Sequence, residues 1–102
     1  TFAEARKKKA LEIYKEVFFN TKDISVASLA ADRIAWLYFD LKKFKDAKEY
    51  FDKIIKANPD YYLQDRVNAY NIAQKLAANG LESVAAKIAE KLIKKISKKD
   101  MI

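Results

Sequence analysis

Cysteine and histidine are absent from these 102 residues, and glycine and proline occur once each. Without cysteine there is no disulfide staple and no thiol chemistry. Without histidine, imidazole acid–base catalysis and nearly every zinc, haem or iron–sulfur site drop out. One glycine and one proline are too few turn residues for tight β-hairpins, which argues against a sandwich or a barrel. Long apolar runs are missing too: the greasiest stretch, Ile24 to Leu41, is broken by Asp32, Arg33 and Asp40, so no segment reads as a membrane span. Arginine is scarce. Only Arg6, Arg33 and Arg66 accompany 18 lysines, and arginine forks are the usual readers of phosphate and base edges, so this balance argues against a nucleic-acid reader.

What is present is an apolar, strongly charged chain: 51% hydrophobic, 34% charged and 13% aromatic, with a net charge of +7. The apolar share is too high for disorder and the length suits one domain, taken as residues 1–102. With no staple, a hydrophobic core or neighbours outside the chain must stabilise it. Thr1 is not an initiator methionine and no signal peptide is visible, so the segment is expected to come from a longer protein.

The chain repeats itself. Ala10-Leu-Glu-Ile-Tyr14-Lys-Glu-Val17-Phe18, Ala47-Lys-Glu-Tyr-Phe51-Asp-Lys-Ile54-Ile55 and Ala85-Ala-Lys-Ile-Ala89-Glu-Lys-Leu92-Ile93 superimpose at offsets of 37 and 38 residues. A second motif alternates with the first: Ile34-Ala35 and Ile72-Ala73 each lie 13 residues before Ala47 and Ala85. Junctions repeat as well, with Asn20-Thr-Lys-Asp23 matching Asn58-Pro59-Asp60-Tyr61. The repeat fragments are 1–22, 23–58 and 59–97.

Hydrophobic spacing predicts five helices in antiparallel hairpins. The first covers about 3–19, with Ala10, Tyr14, Val17 and Phe18 on one face. The second covers about 25–41, capped by Asp23 or Ser25. The third covers about 44–57, with Phe44, Ala47, Phe51, Ile54 and Ile55 inward. Asn58-Pro59-Asp60 stops it, and Asp60 is expected to cap a fourth helix from about 61 to 78. Asn79-Gly80 supplies a left-handed end to that helix. A fifth follows, with Leu81, Val84, Ala85, Ile88, Leu92 and Ile96 on one face. Charge alternates with the helices. Residues 1–22, 42–58 and 81–102 each carry six basic against three acidic side chains, whereas 23–41 carries one against three and 59–80 is balanced.

Ile34-Ala35-x-x-Tyr38, Ala47-x-x-x-Phe51 and Pro59 resemble the tetratricopeptide repeat (TPR), a helix–turn–helix unit of about 34 residues. Ile72-Ala73-x-x-Leu76 and Ala85-x-x-x-Ala89 follow the same register, with Ser97 where the proline would fall, and the first fragment keeps only Ala10-x-x-x-Tyr14. The family's early tryptophan is replaced by Ala31 and Ala69. Its glycine–aromatic turn becomes Lys42-Lys43-Phe44 and Gly80-Leu81-Glu82. The resemblance implies an all-α fold of antiparallel hairpins stacked as a short right-handed α-solenoid. The spacings of 24 and 25 residues from Ala10 to Ile34 and from Ala47 to Ile72 are longer than a minimal unit allows. Longer units of this kind resemble those of bacterial envelope TPR proteins, which points to the periplasm; the cytoplasm is the alternative. Ser97-Lys98-Lys99-Asp100 resembles the start of another junction. Repeat arrays need caps, so Phe2, Tyr14 and Phe18, or the far face of the fifth helix, are expected to be partly exposed, self-associated or swapped.

In that family the first helix of each hairpin lines a concave groove. The resemblance therefore implies partner-binding positions at Leu29, Asp32, Trp36, Phe39 and Asp40, and at Val67, Tyr70, Gln74 and Ala77. Trp36, Phe39 and Tyr70 would form an aromatic strip flanked by carboxylates, suited to a peptide or helix bringing apolar anchors and basic residues. The competing reading packs Trp36 and Phe39 between hairpins as core. The expected function is thus a non-catalytic protein-interaction scaffold without cofactor or metal. The alternative is a basic module binding nucleic acid or an anionic membrane through Lys7-Lys8-Lys9, Lys42-Lys43, Lys94-Lys95 and Lys98-Lys99. Those runs read first as the solvated faces of amphipathic helices. No phosphate-cradling glycine loop, calcium loop or nucleophile elbow is present, so no enzyme is expected.

Overall fold

Helix ends in this chain are set by a few polar side chains and by two left-handed residues. The computed structural model describes residues 2–100, with side chains described through Lys95. Over that range five α-helices follow one another: α1 (Phe2–Asn20), α2 (Ile24–Asp40), α3 (Phe44–Ala57), α4 (Arg66–Ala78) and α5 (Glu82–Asp100). A 3-10 turn, Tyr61–Leu63, precedes α4, and no strand occurs among the described residues. The chain divides into two units, Thr1–Asn58 and Pro59–Ile102.

In the first unit α2 packs against both α1 and α3. Asp23 starts α2: its carboxylate accepts from the backbone N–H groups of Ser25 at 2.8 Å and Val26 at 3.2 Å, satisfying donors that the first turn leaves orphaned. Ala30, Ala31, Ile34, Ala35 and Phe39 of α2 are buried, as are Ala47, Tyr50, Phe51, Ile54 and Ile55 of α3. Rings stitch the two together, with Trp36 against Phe51 at 5.0 Å and Phe39 against Phe44 at 5.3 Å, both edge to face. Helix α1 joins through Leu11, which is buried, and Phe18, whose ring meets Tyr50 at 5.6 Å. Its inward stripe is rotated from the expected one. Val17 is exposed, while Leu11, Tyr14, Lys15 and Phe18 face the hairpin to differing depths.

The second unit repeats this plan with smaller side chains. Helix α4 packs on α5, and the 3-10 turn touches both. Ala31 and Ala69, Ala35 and Ala73, and Ala47 and Ala85 are pairs 38 residues apart, and all six are buried. The ends of α2 and α4 match as well. Lys42 and Gly80 both take positive φ, +61° and +85°. In each case that residue's N–H donates to the carbonyl three residues back (Phe39, 3.0 Å; Ala77, 3.3 Å). The next N–H donates five residues back (Lys43 to Tyr38, 2.8 Å; Leu81 to Leu76, 2.9 Å). This is the Schellman arrangement. Gly80 was expected there; the left-handed Lys42 was not.

Two expectations are corrected. The fourth helix begins at Arg66, not near Tyr61, and Asp65 caps it by accepting from the Asn68 N–H at 3.1 Å. Asp60 makes no capping bond. Tyr62 and Leu63 are buried, so the chain spends these residues on a packed 3-10 turn before the helix can start. The fifth helix runs through Ser97–Asp100, so no junction begins there. The inward position of Ile96, the proline-equivalent Ser97 and the side chains of Lys98 and Lys99 lie outside the described side chains.

Candidate interaction surface

With α1 on one flank and α3 on another, α2 keeps an uncovered arc. A helix turns by about 100° per residue, and the arc runs through Val26, Leu29, Arg33 and Asp40, all exposed, with Trp36 and Leu37 half-buried at its edges. Leu29 is 48% exposed. Asp32 and Phe39, placed by sequence in the same groove, are buried. Phe39 is clamped between Trp36 at 5.2 Å and Phe44, so it presents no surface. Asp32 accepts from the Trp36 Nε1–H at 3.1 Å and has the Arg33 guanidinium 3.8 Å away. Its carboxylate thereby holds the indole edge in place. Trp36 is shared: one edge packs on Phe51 and Phe39 while part of the ring reaches the surface.

In the second unit Val67, Tyr70, Gln74 and Ala77 lie on one arc of α4 and all are exposed. Val67 is 70% and Tyr70 56% exposed. Gln74 donates to the Tyr70 hydroxyl at 3.0 Å. This bond, from residue 74 to residue 70, occupies the same register as Trp36 to Asp32 in α2, 38 residues earlier. Ala69, Ala73 and Leu76 bury the opposite face. Each unit therefore carries one helix with a sealed side and an open side on which large apolar and polar residues mix.

The resolved electrostatic perturbations lie elsewhere. The Lys15 ammonium sits 5.1 Å from the centre of the Tyr38 ring, and its hydrogen bond to Tyr38 raises its pKa above the ordinary value. Burial raises the Tyr50 phenol in the same way. Tyr38 lies nine residues, or half a turn, round α2 from Leu29, so this cluster serves the packing of α1. Among the described residues no three Cys, His, Asp or Glu gather where they could hold a metal. No described helix is long and apolar enough to cross a membrane. Lys8, Lys9, Lys42, Lys43, Lys94 and Lys95 are exposed and Lys7 is half-buried. The ends of the chain show apolar surface as well. Phe2 is 75% exposed, Tyr14 and Phe18 are half-buried, and Ile93 of α5 is 63% exposed, whereas its counterpart Ile55 is buried.

Sequence reasoning missed Val26, which extends the open arc of α2. Its position three residues before Leu29 was the available signal. No family model, curated protein or solved structure matches the chain.

Proposed function

We propose that the chain is a non-catalytic protein-interaction scaffold of the tetratricopeptide kind, its hairpins stacked as a short right-handed α-solenoid and its α2 and α4 arcs lining one concave groove for a partner's peptide or helix. One observation carries the reading: Leu29 and Val67 occupy the same repeat position and stand uncovered on helices whose opposite faces are buried. Matching left-handed ends, matching buried alanines and matching i, i+4 side-chain bonds support the equivalence of the two units. The α2 arc offers Leu29, part of the Trp36 indole and the Asp40 carboxylate, and the α4 arc offers Val67 and Tyr70. Such a surface suits a ligand segment with apolar anchors and a basic residue.

The test is selection from a displayed library of random peptides, followed by the triple variant Leu29→Ser, Val67→Ser, Tyr70→Ser. Exposed substitutions each leave stability within about 0.5 kcal/mol, so the helical signal should persist while peptide affinity falls tenfold or more. Phe39→Ala is the contrasting variant. As a buried ring it should lower stability by about 3–5 kcal/mol. Selected peptides that hold the triple variant as tightly as the wild type would remove the arcs from the binding surface.

A further inference from the structure

The first unit contains a cleft of about 690 Å³ on the side of α2 turned away from the open arc. It lies where the last turns of α1 and α3 flank the first turns of α2. Its origin is in the sequence. Ala27, Ser28 and Ala31 face the space between Phe18 of α1 and Ile54 of α3, and none of the three has a side chain long enough to fill it. The floor is therefore apolar and the void is built into the helix packing. Its volume falls within the roughly 300–1,000 Å³ of small-molecule sites.

The rim is basic. Lys22, Lys53 and Lys56 border the cleft, and all three are exposed with no acidic partner in the described ion pairs. One acidic group lines it, Asp23, and its carboxylate is already engaged by the Ser25 and Val26 N–H groups. The same bonds occupy the start of α2, so an incoming anion would be held by the lysines. Ser28 is likewise committed, accepting from the Asn58 side chain at 3.2 Å.

Length decides the class of ligand. From Ile24 to Ala31 the floor extends seven helical steps, about 10 Å. A docking helix of several turns would overrun it, and a stable protein interface needs about 800 Å² on each partner. An extended acyl chain fits along such a floor with its anionic end among the ammonium groups. We infer that this cleft binds a single-chain amphiphilic anion, a medium-chain carboxylate, with the chain over Ala27 and Ala31 and the carboxylate at Lys53 and Lys56.

Calorimetric titration of the whole chain with octanoate, decanoate and dodecanoate, each below its micellar concentration, tests this. One site is expected, tightening about fourfold for each methylene the floor can cover, the factor that burial of one CH₂ gives, and levelling off once the chain outruns the floor. Lys53→Glu with Lys56→Glu should weaken dodecanoate at least tenfold. Ala27→Phe should abolish binding while the melting temperature and helical signal stay close to wild type. Should Ala27→Phe unfold the chain, Ala27→Leu provides the milder block, with amide shifts of Phe18 and Ile54 in dodecanoate reporting occupancy. Equal binding of dodecyltrimethylammonium overturns the proposal, as does dodecanoate binding that ignores the Ala27 variants. Adsorption to anionic phospholipid vesicles with no response to the free carboxylates also overturns it, by showing a lipid surface as the ligand.

Discussion

Lys42 is a lysine where its repeat counterpart is Gly80, yet both hold the same left-handed conformation at the end of a hairpin's first helix. A side chain with a Cβ costs about 1–2 kcal/mol there. Replacing it with glycine also loosens the unfolded chain, which offsets about 0.4–1 kcal/mol. The strain is the larger effect, so Lys42→Gly should stabilise the chain by about 0.5–1 kcal/mol. Gly80→Ala should destabilise it by a similar amount: a Cβ at Gly80 would meet nothing within 4 Å, so the penalty is conformational alone. Urea midpoints at constant m-value measure both changes. A loss of stability in Lys42→Gly would mean that the lysine stem contributes packing which outweighs the backbone strain.

At the scale of elements, α1 is tied to the hairpin by the Lys15, Tyr38 and Tyr50 cluster, and this tie responds to pH. The Lys15 pKa is raised above its ordinary 10.5, so its contribution is complete below about pH 10 and is lost as pH climbs through the raised value. Tyr50 is raised above 10.0 by burial; the unfolded chain ionises it first, and stability again falls above about pH 10. Both act in one direction. Tyr50→Phe should flatten the alkaline fall of stability, read as denaturant midpoints from neutral pH to above pH 10, and Lys15→Met should flatten it in part. An unchanged profile in both variants would exclude the cluster as its source. This tie was not legible in the sequence. Its spacing showed an amphipathic α1 with Ala10, Tyr14, Val17 and Phe18 inward; Tyr14 and Phe18 do face the hairpin, but Leu11 and Lys15 join them and Val17 does not, a rotation that seats Phe18 against Tyr50. Likewise Asp60 and Asp65 are both acceptable caps after Pro59, and burial of Tyr62 and Leu63 chooses the second. Five helices and the Gly80 turn were readable because they rest on local spacing and one left-handed residue. Spacing left Phe39 open between groove and core and placed Asp32 in the groove, since a helix flanked on two sides has no single apolar stripe.

For the whole molecule, the division at Asn58–Pro59 separates cores of unequal quality. All six phenylalanines and the tryptophan lie in residues 1–58, where Phe39 and Phe51 are buried and the Trp36 ring packs on both. Among the described side chains of the second unit the buried set is aliphatic apart from Tyr62, and three of its members, Ala69, Ala73 and Ala85, are alanines. Rings bury far more surface than alanine does, and chains near 40 residues seldom bury enough to offset the ordering of the backbone. The helices of the second unit, 13 and 19 residues long, are also marginal by themselves in water. The excised segment 59–102 should therefore show less than half the helical ellipticity that its helices would give when fully formed, and melt without a cooperative transition. The segment 1–58 should unfold cooperatively. Circular dichroism of both segments beside the full chain provides the measurement. A repeat that cannot bury its apolar face alone is what a stacked array requires. A cooperative melt of 59–102 at the full-chain temperature would instead make it a self-sufficient hairpin that needs no neighbouring repeat to bury its apolar face.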